Sequence, residues 1–143
     1  MGLWMRGRWY RGTSVKIATW NVNGIRARQA QVQTFLETEQ PDVLCLQEIK
    51  SQTEAFPAAE IEALGYNVAV HGQKGFNGVA LLSLQPVEIT ARALPDPADD
   101  EPARYIEGRL QTPAGPLTVG GLYLPNGNPI GTEKFAYKLA WMA

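Results

Sequence analysis

The run Val43-Leu44-Cys45-Leu46 constrains the fold of this chain more than any other stretch. Four apolar residues without a polar break are too short for a helix and suit a strand buried on both faces. Pro41-Asp42 opens the run as a turn, and Gln47, Glu48 and Lys50 follow it, so ionisable groups stand at the mouth of a buried strand. A carboxylate there is costly unless it is solvated or paired. Glu48 is therefore either a surface residue just past a strand or a carboxylate kept for a cation, since α/β proteins build their sites at strand ends.

The residues before this run supply a partner strand. Val15 to Trp20 alternates with β-branched and aromatic residues and predicts a strand. Asn21-Val22-Asn23-Gly24 follows. Turn chemistry accounts for Asn23-Gly24. It accounts less well for Asn21, which still lies at the strand end and can offer an amide to a phosphate or a metal-bound water. Ile25, Val32, Phe35 and Leu36 recur at helical spacing, which predicts an amphipathic helix over 25–39 that stops before Pro41. Strand, helix and buried strand form a βαβ-like unit. If its two strands are neighbours in one sheet, Asn21 and Glu48 meet at one edge.

Further along, Pro57, Ile61, Leu64 and Gly65 mark a short second helix, and 66–70 and 78–83 read as strands. Between these strands, the loop 71–78 lacks P-loop spacing. It is either a plain hairpin connection or a phosphate contact through Lys74 and backbone amides. His71 is the one histidine and is read as a loop residue. Residues 87–93 read as a strand and the acidic, proline-rich 95–102 as a solvated loop without EF-hand spacing. Residues 104–110 and 116–123 read as two strands about the turn 112–115. Thr132 is placed to cap a closing helix, with Phe135, Leu139 and Met142 as its apolar stripe.

A length of 143 residues suits one domain over 15–143, preceded by an extension at 1–14 that lacks periodicity and is expected to be disordered. No stretch approaches the roughly 20 apolar residues of a membrane span, which excludes a membrane partner of that kind. Cys45 is the lone cysteine and lies inside the apolar run, so no disulfide framework exists and a reducing, cytoplasmic compartment is expected. The net charge of −1 gives no general nucleic-acid signal; from residue 17 onward, nine basic residues face fourteen acidic ones, a balance of −5. Any nucleic-acid contact must come from a local basic cluster.

In order, the motifs Ile17-Ala18-Thr19-Trp20-Asn21-Val22-Asn23-Gly24-Ile25-Arg26-Ala27-Arg28, Pro41 to Lys50, Gly72 to Leu81 and Gly121-Leu122-Tyr123-Leu124-Pro125-Asn126-Gly127 closely resemble the exonuclease III family of DNA-repair nucleases. The resemblance spans 15–143 and includes Lys134-Phe135. It implies the α/β fold of the endonuclease/exonuclease/phosphatase superfamily, a four-layered sandwich of two packed β-sheets flanked by helices. It also implies a Mg²⁺ cofactor, with Mn²⁺ as an alternative, and hydrolysis of phosphodiesters in double-stranded DNA at abasic sites and 3′ ends. By the same resemblance, Glu48 ligates the metal and Asn21 helps to hold it, while Tyr123 contacts the scissile phosphate. Asn23, Arg26, Lys50, Lys74 and Arg104 then lie towards DNA. Phe76-Asn77 departs from the pair found in many relatives. The later Gly-Asp-Phe-Asn-type and Ser-Asp-His segments are not found, so the chain is expected to form an incomplete sandwich, inactive or nearly so until a complementary C-terminal fragment joins it. Relatives begin near Val15, which suggests an upstream start for residues 1–14. The alternatives are a superfamily phosphoesterase with another substrate, or a non-catalytic fragment that binds nucleic acid or a partner.

Overall fold

The computed structural model describes residues 14–94 and 102–143. Strand β1 is Ile17–Asn21, helix α1 Ile25–Glu39 and strand β2 Val43–Gln47. A single 3₁₀ turn at Thr53–Ala55 precedes the short helix α2, Ala58–Glu62. Strands β3 (Asn67–His71), β4 (Val79–Ser83), β5 (Glu88–Ala91), β6 (Tyr105–Thr112) and β7 (Gly115–Leu122) follow, and helix α3 is Glu133–Met142. The extension at 1–13 and the acidic stretch at 95–101 lie outside the described residues.

The strands form two sheets, ordered β1-β2-β4-β3 and β5-β6-β7. The β1–β2 pair is parallel, as the βαβ reading requires, and sets Asn21 opposite Gln47. The neighbouring pairs β2–β4 and β3–β4 are antiparallel. The two faces of β2 serve two cores, because side chains alternate along a strand. Leu44 and Leu46 join Val32 and Leu36 of α1, Ile61 of α2 and Leu82 of β4. Val43 and Cys45 face the second sheet and pack with Leu81, Ile106, Leu110 and Val119. The expected packing of two sheets is thus present, with α1 and α2 on the outer face of the larger one.

The turns at both ends of β2 are fixed by polar atoms. Asp42 is buried, and its carboxylate accepts the Lys16 amide at 2.6 Å. The buried Tyr66 hydroxyl donates to the Pro41 carbonyl at 2.7 Å. Burial pushes that phenol well above its usual range, and the charge of Asp42 adds to the effect. Helix α1 ends on Gln40 in the left-handed region, whose amide returns to the Leu36 carbonyl at 3.1 Å. Helix α2 starts after Pro57 and stops at Gly65, as the spacing predicts.

Three expectations change. His71 ends strand β3 and is not a loop residue; its Nδ1 lies 3.1 Å from the Tyr105 carbonyl. Thr132 precedes α3, but its hydroxyl donates to the Pro129 carbonyl at 2.6 Å and caps no helical amide. The buried residue of α3 is Trp141, while Leu139 and Met142 are 52% and 58% exposed. The helix therefore turns its Phe135–Lys138–Trp141 side inward, with the Lys138 stem lying against Gly127.

Candidate active site

Three loops meet at the C-terminal ends of β1 and β2. The segment after β2 is clamped on both sides by backbone hydrogen bonds. The carbonyls of Gln47, Glu48 and Ile49 accept from the amides of Val22, Gly24 and Ile25 at 3.0, 2.8 and 2.9 Å. On the other side, the amides of Ile49 and Lys50 donate to the carbonyls of Gly78 and Asn77 at 3.1 and 2.9 Å. Within this frame Glu48 and Lys50 take φ values of 55° and 50°. For residues other than glycine that region costs of order 1 kcal/mol each and persists only where surroundings impose it. Here the double clamp imposes it, and Ile49, fully buried between the two, anchors it.

The outcome at Glu48 is a contact across 75 positions of sequence: the Tyr123 hydroxyl donates to Glu48 Oε1 at 2.7 Å. Tyr123 directly follows β7, so this bond joins the end of one sheet to the end of the other. Burial raises the Tyr123 phenol above its ordinary range. Its bond to Glu48 and that residue's charge push the same way, and nearby Arg104 opposes them. The phenol is thus held protonated, as a donor. No described residue donates to Glu48 Oε2.

The other predicted site residues divide into two groups. Asn21, Asn23 and Lys50 form a chain: Asn21 Oδ1 accepts the Asn23 amide at 3.1 Å, and Asn23 Oδ1 accepts Lys50 Nζ at 2.6 Å. Asn21 is thus both a turn residue and a strand-end amide, with a second lone pair left on its oxygen. Arg26 and Lys74 are exposed, on the first turn of α1 and in the loop after β3, and no described residue pairs with either. Arg104 has protein partners. It donates from Nη1 to the Tyr123 carbonyl at 3.2 Å, and its guanidinium carbon lies 5.0 Å from the centre of the Tyr123 ring.

Gln73 was not among the expected residues, although it shapes the loop that carries Lys74. Its Oε1 accepts the Ala103 amide at 2.6 Å and Asn77 Nδ2 at 3.2 Å. Phe76 projects from the same loop, 71% exposed. No sequence signal separated Gln73 from an ordinary loop glutamine. The groove lined by Val68, Val70, Val87 and Ile89 contains none of the expected site residues.

Among the described residues, no three His, Cys, Asp or Glu side chains converge on a metal position. A soft-metal or multi-histidine centre does not fit. Mg²⁺ does, because it takes oxygen ligands, keeps several waters and needs one or two carboxylates. Glu48 Oε2 and the Asn21 amide oxygen are the groups suited to hold it.

The Endonuclease/Exonuclease/phosphatase family model matches residues 18–141. The chain is 46% identical over 125 residues to exodeoxyribonuclease III of Haemophilus influenzae, covering 87% of this chain and 47% of that protein. Among solved structures, it is similar to a 3′ phosphatase from Neisseria bound to a product DNA hairpin, with a TM-score of 0.82 and 37% identity, covering 90% of this chain and 48% of that one. It is also similar to an AP endonuclease from Archaeoglobus fulgidus, with a TM-score of 0.80 and 38% identity, covering 90% and 48%. The chain spans about half the length of the curated relatives it matches.

Proposed function

The chain belongs to the Endonuclease/Exonuclease/phosphatase family, and from that membership we propose that it provides one half of a Mg²⁺-dependent DNA-repair nuclease, which hydrolyses phosphodiesters at abasic sites and 3′ ends of duplex DNA. The observation that carries this reading is the 2.7 Å bond from Tyr123 to Glu48. It joins the proposed metal carboxylate to the proposed phosphate-contacting phenol from opposite sheets, which few structural needs would explain.

Each residue has a role that follows from its chemistry. Glu48 and Asn21 would hold the cation, which supplies positive charge to the phosphate oxygens when bound. Tyr123 stays protonated and offers a donor where charge develops on the phosphate. Lys50, fixed on Asn23, presents an ammonium beside the site. Arg26 and Lys74 are exposed cations suited to track the DNA backbone. Together they form the local basic cluster that the chain's overall charge required.

No described third acidic or histidine group stands beside Glu48 to activate water. We therefore assign this chain binding and metal capture, with turnover requiring a complementary fragment that carries the remaining groups. The test is Mg²⁺-dependent incision of a duplex with one abasic site. It is run with this chain alone, with the chain plus the second half of the Haemophilus influenzae relative, and with Glu48→Gln in both settings. Cleavage is expected with both halves and lost in Glu48→Gln. Cleavage that persists in Glu48→Gln would refute the role of Glu48. Duplex binding by the chain is expected to weaken with salt, with a log–log slope shallower by about one in Lys50→Ala.

A further inference from the structure

Arg104 is the residue whose environment the proposed chemistry leaves unexplained. It precedes β6, and its carbonyl accepts the Tyr123 amide at 2.7 Å. Its Nη1 returns a bond to the Tyr123 carbonyl at 3.2 Å, so the two residues are tied twice through the backbone of Tyr123. The guanidinium also lies between two aromatic rings, 5.0 Å from the centre of Tyr123 and 5.6 Å from that of Tyr137. Tyr137 belongs to α3, which is otherwise remote in sequence from Glu48. Arg104 Nε is buried and has no hydrogen-bond partner among the described residues. A buried donor left unpaired is costly. Stacking between two π-faces is the interaction that offsets it, and a planar guanidinium suits that place where an ammonium does not.

We propose that Arg104 is a positioning residue: wedged between Tyr123 and Tyr137, it fixes the Tyr123 ring so that its hydroxyl rests on Glu48, and it makes α3 part of the site's support. This role rests on Tyr123 and Glu48 being the working pair, and it runs through the protein. The reading of Arg104 as a DNA contact includes no such partner. Tyr137 is 38% exposed, so it can be replaced without opening the core.

The test uses this chain without metal or DNA, so its outcome is independent of the nuclease reading. Ring-labelled tyrosine NMR spectra are recorded for the parent and for Arg104→Met, Arg104→Lys, Tyr137→Leu and Tyr137→Phe, with the Tyr123 signal assigned through Tyr123→Phe. The Arg104 Nε–Hε signal is followed in parallel. In the parent, that Hε signal is expected to be displaced by ring currents and slow to exchange with water. Tyr137→Phe is expected to leave both signals in place. Tyr137→Leu and both Arg104 variants are expected to move the Tyr123 signal and to speed its ring flip about tenfold, the equivalent of losing a partly desolvated cation–π contact. A Tyr123 signal unmoved in folded Arg104→Met, or fully preserved in Arg104→Lys, would overturn the proposal. If the Arg104 variants do not fold, Tyr137→Leu decides: no change at Tyr123 there overturns the role of α3 and of the stack.

Discussion

The bond between Tyr123 and Glu48 predicts a measurable coupling that needs neither DNA nor metal. Tyr123→Phe removes only the hydroxyl and keeps the ring under Arg104; Glu48→Gln keeps the shape of the acceptor and removes its charge. A hydrogen bond to a charged group contributes about 1.5–3 kcal/mol net when well buried. Both residues here are half-buried, so water takes over part of the lost bond and the lower end applies. The expected coupling energy is about 1 kcal/mol, visible as a double-mutant cycle in which the second substitution costs less than the first. In a chain of 143 residues, 1 kcal/mol moves the melting midpoint by roughly 3 °C. Urea unfolding of the four variants at neutral pH, followed by tryptophan fluorescence, measures it; Trp20 reports on the core, since its ring meets Phe35 edge-on at 5.8 Å. Additive costs, with coupling within about 0.3 kcal/mol of zero, would show that the 2.7 Å contact carries no energy and would remove the physical basis for treating the two residues as one unit.

Three further outcomes are expected. Burial pushes the Cys45 thiol from 9.0 up to about 11, so the folded state keeps a proton that the unfolded chain loses. Its contribution is complete below pH 9 and falls away as the pH rises to 11, by about 2–3 kcal/mol, and Cys45→Ala should flatten that part of the stability–pH curve. Gly72→Ala would set a Cβ against the Ser51 carbonyl oxygen and 2.8 Å from the Thr53 amide nitrogen, both backbone atoms that cannot yield; thermal melts should show a loss of roughly 3 kcal/mol. Trp141→Ala should cost about 3 kcal/mol, whereas Leu139→Ala, at a 52% exposed position, should stay within about 0.5 kcal/mol, and the reverse order would mean that α3 packs on its other face.

The elements that were legible in the sequence are those whose environment is set nearby. Val43 to Leu46 could only be a strand with two covered faces, and each face meets its own core. Ile25, Val32 and Leu36 share one side of α1 and are all buried, as their spacing requires. Parallel pairing of β1 with β2 then followed from the short βαβ connection, and it placed Asn21 and Glu48 at one edge before any coordinate was known. The hairpin about Pro113-Ala114 was equally local, with Thr112 paired to Gly115.

What the sequence hid depends on residues far apart in it, and α3 shows why. Phe135, Leu139 and Met142 make as good a helical stripe as Phe135, Lys138 and Trp141, because periodicity identifies faces without saying which one meets protein. The choice rests on what the helix lands on, here Gly127 beneath the Lys138 stem and the Arg104 guanidinium beside Tyr137. Arg104 is illegible for the same reason. A lone arginine before a strand looks like a solvated cation until Tyr123, 19 positions later, and α3 beyond it close around the side chain. The catalytic reading of Glu48 and the supporting reading of Arg104 thus depend on one event, the arrival of the segment after β7 beside the end of β2. A substitution that loosens Tyr123 should disturb both, and one that loosens only the Lys50–Asn23 contact should disturb neither.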